Sequence, residues 1–147
     1  LLLQTLKEQD REQDLRGLIE IIVQPFAEQL LLPPEQSYYL RLLAQLMSQS
    51  GWQLLFTHQP HRASGVVEAG YMLVALISAE VGAEAATERV RLLGLHVLNT
   101  ITEWDAMGRR GELQLNPESV GWRVTNLIDY LVGGLTAPSS QVCTEES

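Results

Sequence analysis

One cysteine, Cys143, is all the thiol this chain of 147 residues carries. No internal disulfide can form, which excludes a small stapled secreted domain. Cys143 lies in the polar stretch SSQVCTEES and reads as a free, solvated thiol in a frayed tail. A reducing cytoplasm fits that usage. Aromatic residues are scarce, at 6%, so a core must be built from Leu, Val, Ile and Ala. Cations are few as well: 10 Lys and Arg stand against 18 Asp and Glu, for a net charge of −8. Affinity for phosphate backbones comes from clustered cations that release counterions. The nearest approach to a cluster, Arg109-Arg110, is flanked by Glu103, Asp105 and Glu112, so the chain alone is not expected to hold DNA or RNA. Long apolar runs are also missing. The longest, Ala69 to Ala79, is too short to span a bilayer, and no membrane association is expected. Leu1-Leu2-Leu3 lacks a basic flank and a cleavage site and is no signal peptide. The chain opens without Met and in mid-pattern, which predicts a parent protein with a preceding segment.

What is present is helical periodicity. At about 150 residues a single domain buries roughly 70% of its unfolded surface, enough for an unstapled core. Leu1 to Glu8 read as the last turns of a helix, and Gln9 to Gln13 as a polar break. From an Asp14 cap, Leu15, Leu18, Ile19, Ile22, Phe26 and Leu30 then recur at helical spacing. Pro25 inside that helix predicts a kink. Leu32-Pro33-Pro34 stops it. A further helix is predicted from about Glu35 or Ser37 to Gln49, with Tyr39, Leu42, Leu43, Leu46 and Met47 on its buried side. Trp52 to Gln59 reads as a short mixed segment. The helix from about Arg62 to Ala79 is apolar on most sides and is expected to be central, with Gly82 as its stop.

Two amphipathic helices follow, from about Ala85 to Arg110 and from Pro117 to about Leu135. The first carries Val90, Leu93, Val97, Ile101 and Trp104 on one face and Leu95 and Leu98 on another. Asn116-Pro117-Glu118 is a strong start for the second: a capping amide, Pro at the first helical position, and an acid in the first turn. Its large stripe is Val120, Val124, Leu127, Leu131 and Leu135. A second stripe, Gly121, Thr125, Ile128 and Val132, has smaller residues that admit a close neighbour. A helix apolar on two sides must bury both, and here the second side is expected to meet a partner. Strands, internal repeats and long heptad runs are not evident. The expectation is an all-α bundle of about five to six helices over residues 1–138, with 139–147 a disordered tail.

Few motifs point to chemistry. His58-Gln59-Pro60-His61 falls short of the three or four ligands a zinc site needs and reads as a solvated loop. His96, Asn99 and Glu103 share one helix face. They could make solvated or interface contacts, line a cavity, or serve a stand-alone helical binding protein or enzyme. No nucleophile–base set accompanies them. Trp52, Phe56, Tyr71 and Met72 could form an apolar wall or plain core. Glycine-rich phosphate loops and iron-carboxylate pairs are missing, and nothing calls for a metal or cofactor.

The order of parts, LRGLIEIIVQPFAEQL, then SYYLRLLAQLMSQ, a central helix, RVRLLGLHVLNTITEWD and NPESVGWRVTNLIDYLVGGLTAP, resembles the C-terminal domain of bacterial TetR-family transcriptional regulators. The resemblance spans about Leu1 to Pro138. It implies a ligand-sensing, non-enzymatic, cytoplasmic domain that forms a homodimer through its last two helices. It also implies a small, mainly apolar effector. DNA would be read only by a helix-turn-helix domain that this chain does not contain, with Leu1 to Glu8 ending the linking helix. On the resemblance and the helix faces together, Ile22, Phe26, Leu42, Leu46, Trp52, Tyr71, Met72 and Asn99 are the candidate cavity residues. Val97, Ile101, Trp104, Gly121, Thr125, Ile128 and Val132 are the candidate dimer contacts.

Overall fold

A computed structural model describes residues 2–33, 35, 40, 42 and 60–140. The protein is all-α: the described residues form four helices and no strand. They are α1 (Leu2–Gln29), α2 (Pro60–Val81), α3 (Ala83–Arg109) and α4 (Pro117–Thr136). The expected count of five to six includes the helix placed near 35–49. Of that stretch Leu40 and Leu42 are helical, and most of the rest lies outside the described residues.

α1 is one helix where a break was expected at Gln9 to Gln13. That stretch is Gln, Asp, Arg, Glu and Gln. Without Gly or Pro, such residues cost a helix only tenths of a kcal/mol each (roughly 0–0.7 on host scales), too little to end it. Asp14 is therefore an exposed residue inside α1 and not its cap. Leu15, Ile19, Ile22, Val23, Phe26 and Ala27 form a single buried stripe. Pro25 falls on the exposed side, next to the exposed turn of Ile21, whose carbonyl loses its usual N–H partner there and can be met by water. The helix closes tightly before Pro33: the N–H groups of Leu30, Leu31 and Leu32 reach back three residues at 3.1, 3.3 and 3.3 Å.

α1 and α3 each pack against the other three helices, and α2 packs chiefly against α1 and α3. The 62–79 helix was expected to be central and apolar on most sides. Instead α2 buries one stripe, Ala69, Leu73 and Ile77, while Tyr71 and Met72 are exposed. α2 begins at Pro60, so His61 stands in its first turn and not in a loop; His58 lies outside the described residues. Leu40 is buried and Leu42 is 52% exposed. Leu42, expected on the buried side, is thus exposed, two residues and about 200° of helix from buried Leu40; Tyr39, Leu43, Leu46 and Met47 lie outside the described residues.

Gly82 alone joins α2 to α3. Its φ of 87° is in the left-handed region, where a side chain is strained. Its N–H bonds Ser78 O and its carbonyl accepts from Ala86 N–H, both at 2.9 Å. α4 starts as expected: Asn116 Oδ1 accepts from Ser119 N–H at 2.9 Å, with Pro117 at the first position. Val120, Val124, Leu127, Ile128, Leu131 and Leu135 form its buried stripe.

Two arginines tie the ends together. Arg16 of α1 donates to Asp129 of α4 at 2.7 Å. Arg89 of α3 donates to the carbonyls of Gly134, Leu135 and Ala137 at 3.4, 3.0 and 2.5 Å. It thereby places a cation on the orphan carbonyls at the end of α4. The buried carboxylate Asp105 is held by Arg109 Nε at 3.0 Å, one turn on.

Candidate ligand groove and the outer face of the last two helices

A half-open groove of about 590 Å³ runs between α1, α2 and α3. α1 contributes Ile22 and Phe26. α2 contributes Val66, Val67, Gly70, Tyr71 and Val74. α3 contributes Thr87, Val90, Arg91, Leu93, Gly94, Leu95, Val97 and Leu98. Its walls are almost wholly carbon, and its size falls within the range of small-molecule sites, about 300–1,000 Å³. Two helix-interior glycines keep it open. A methyl built on Gly94 would meet nothing within 4 Å, and one on Gly70 would meet only Val90 Cγ1, at 3.8 Å.

The polar groups sit at its edge. Tyr71 is 74% exposed. The Thr87 hydroxyl donates to Ala83 O at 2.8 Å, leaving its lone pairs available. Arg91 donates through Nε and Nη2 to the two carboxylate oxygens of Glu88, at 2.7 and 2.5 Å. That hydrogen bonding, with the charge of Arg91, holds the Glu88 carboxyl below its ordinary range. The same pairing raises the Arg91 pKa. Both groups are ionised at neutral pH. Such a site can bury an apolar body and hold one polar end by hydrogen bonds.

Of the expected cavity residues, Ile22, Phe26 and Tyr71 line this groove. Met72 is exposed and outside its wall, a rotation of about 100° past Tyr71 around α2. Asn99 is exposed on another face of α3, and Leu42 is exposed outside the wall. Leu46, Trp52 and Phe56 lie outside the described residues. The sequence reading did not single out Arg91, Thr87 or Gly94. Gly94 did carry a signal, a glycine kept in mid-helix amid apolar residues despite its cost of about 1 kcal/mol relative to Ala.

The expected dimer contacts divide. Val97, Ile101 and Ile128 are buried in the chain's own core. Trp104 and Val132 are half-buried against that core. Gly121 and Thr125 are exposed, with the Thr125 hydroxyl donating to Gly121 O at 2.9 Å. The outer face of α4 also carries Trp122, 56% exposed, and Tyr130, 62% exposed, and α3 adds exposed Leu92. Tyr130 lies 5.4 Å, ring to ring, from His96, which joins the outer faces of α3 and α4 into one surface. His96, Asn99 and Glu103 are all exposed there, and Glu103 lies 3.6 Å from Arg110. Trp122 and Tyr130 were not among the expected contacts, because each stands among small or polar residues on the exposed side of α4.

Among the described residues no three of His, Cys, Asp or Glu gather closely enough to hold a metal ion. None of the described helices is long and apolar enough to cross a membrane. A comparison with protein families, curated proteins and solved structures finds no match to this chain.

Proposed function

We propose that this chain is the ligand-sensing and dimerisation domain of a bacterial, cytoplasmic TetR-like transcriptional regulator. In this reading it is not an enzyme. It binds a small, mainly apolar effector, and DNA is read by a helix-turn-helix domain elsewhere in the parent protein.

The observation that carries the reading is the apolar groove between α1, α2 and α3. α3 gives it mechanical consequence. One side of this helix walls the groove through Val90, Gly94 and Val97, and another presents Leu92 and His96 beside Tyr130 of α4. An effector filling the groove bears on the helix that carries the proposed dimer surface. It can shift the protein only by preferring one dimer arrangement over another. A displacement of α3 would alter the spacing of two DNA-reading heads, which must match half-sites about one helical turn of DNA apart.

The dimer would use the outer faces of α3 and α4. Exposed Trp122, Tyr130 and Leu92 supply aromatic and apolar anchors. A self-complementary patch of this kind suits a two-fold contact.

The test is a thermal-shift panel of apolar small molecules followed by calorimetry on the hits, with light scattering for the oligomeric state. A ligand present at 100 times its Kd should stabilise the fold by about 2.7 kcal/mol. A panel without a single binder, or a monomer at all concentrations, would remove the reading.

A further inference from the structure

Among the described residues that wall this mainly apolar groove, Arg91 is the one that carries a charge, and Glu88 occupies only part of its hydrogen-bonding capacity. We propose that the ligand of this groove is an amphiphilic carboxylate, its apolar body lying along Phe26, Gly70 and Gly94 and its carboxylate pairing with Arg91 at the mouth. The proposal rests on the reading of the groove as a ligand site.

A guanidinium has five N–H groups in a rigid plane. Glu88 takes one from Nε and one from Nη2, which fixes the plane and consumes one edge. The second edge, formed by Nη1 and the remaining N–H of Nη2, makes no hydrogen bond to a described residue. It offers two parallel donors, the arrangement that a carboxylate accepts in bidentate fashion. The Arg91 side chain is 47% exposed, so a head group can reach this edge from solvent while the chain behind it enters the groove.

Charge selects among head groups. A cationic head would face Arg91 directly. A hydroxyl would gain only a neutral acceptor's hydrogen bond, about half as strong as a charge-assisted one. A phosphate carries a second negative charge, and Glu88 stands beside the site with its carboxylate ionised. A single negative charge spread over two oxygens fits the one free edge.

The experiment is calorimetric titration of the full chain, below micelle concentrations, with dodecanoate, dodecanol, dodecylamine and dodecyl phosphate. The proteins are wild type, Glu88→Gln and the Glu88→Gln/Arg91→Gln double variant. The double variant is needed because removing Arg91 alone would leave Glu88 unpaired at the mouth and repel any anion. Circular dichroism verifies that each variant is folded, as expected for half-exposed positions. Wild type should bind dodecanoate about tenfold more tightly than dodecanol, a difference of about 1.4 kcal/mol, with dodecylamine weakest. Glu88→Gln should tighten dodecanoate several-fold, and the double variant should erase the difference between dodecanoate and dodecanol. Equal binding of acid and alcohol to wild type, or a preference for the acid that survives in the double variant, would overturn the carboxylate assignment and leave the groove standing as a ligand site. Tighter binding of dodecyl phosphate than of dodecanoate would overturn it in favour of a phosphate head. Failure of all four probes to bind would remove the groove reading itself, and this proposal with it.

Discussion

Filling the groove from within should strengthen the fold while abolishing ligand binding, and Gly94 is the place to do it. Gly94 lies in the middle of α3 and lines the groove, and a Cβ there meets no atom within 4 Å. Gly94→Ala therefore adds helix propensity without a clash, a gain of about 0.5–1 kcal/mol. Gly94→Leu adds the same propensity and extends a branched side chain into the groove. Each methylene it covers contributes up to about 0.8 kcal/mol, so a total gain of about 1–2 kcal/mol is expected with partial coverage. For a domain of this size that raises Tm by about 3–6 °C. The same side chain occupies the space an apolar ligand needs, so Kd for any groove ligand should rise at least about tenfold, or about 1.4 kcal/mol. Gly108→Ala is a control of opposite sign. A Cβ there would lie 2.5 Å from Leu115 Cδ1 and 2.9 Å from Leu115 Cγ, so overpacking should outweigh propensity and cost about 1 kcal/mol or more. The assay is thermal unfolding at fixed protein concentration, paired with calorimetric titration of an apolar ligand. Loss of stability in Gly94→Leu, or ligand affinity unchanged in it, would refute the reasoning.

Other outcomes follow from the packing. Ile128→Glu buries an unpaired charge in the protomer core and should destabilise by about 3–5 kcal/mol, unfolding the chain rather than only dissociating it. Tyr130→Glu, on the exposed face, should instead leave circular dichroism unchanged and convert the proposed dimer to monomer in light scattering. Arg89→Ala strips the cation from three carbonyls at the end of α4 and should lower stability by about 1–2 kcal/mol in denaturant titration. Hydrogen bonds from Arg91 and Arg110 hold the carboxyls of Glu88 and Glu112 below their ordinary values. A folded-state pKa below the unfolded one gives stability that is present above the unfolded value and lost as pH falls through the folded one. Any stability difference between wild type and an Arg91→Gln/Arg110→Gln variant should thus be constant from pH 7 to about pH 5 and shrink below about pH 4. A difference that grows on acidification would contradict this.

Much of the helical layout was visible in the residues themselves. The buried stripes of α1 and α4, the Asn116-Pro117 start and the Gly82 stop follow from local spacing and capping chemistry, which neighbouring residues decide among themselves. The polar stretch of α1 continues the helix instead of breaking it, because charged and amide residues cost a helix only tenths of a kcal/mol each (roughly 0–0.7). Burial within the partly apolar α3 and α4 was decided only by tertiary structure. Val97, Ile101 and Ile128 are as apolar as any interface residue, and whether they face α1 or a partner depends on how the helices are rotated against one another. The groove is of the same kind. Gly70 and Gly94 lie on two helices, and Phe26 on a third, so no local pattern announces that their faces converge on an open space. Periodicity fixes which residues share a face, because that depends on the pitch of one helix. Which face meets core, ligand or solvent depends on several helices packed at once.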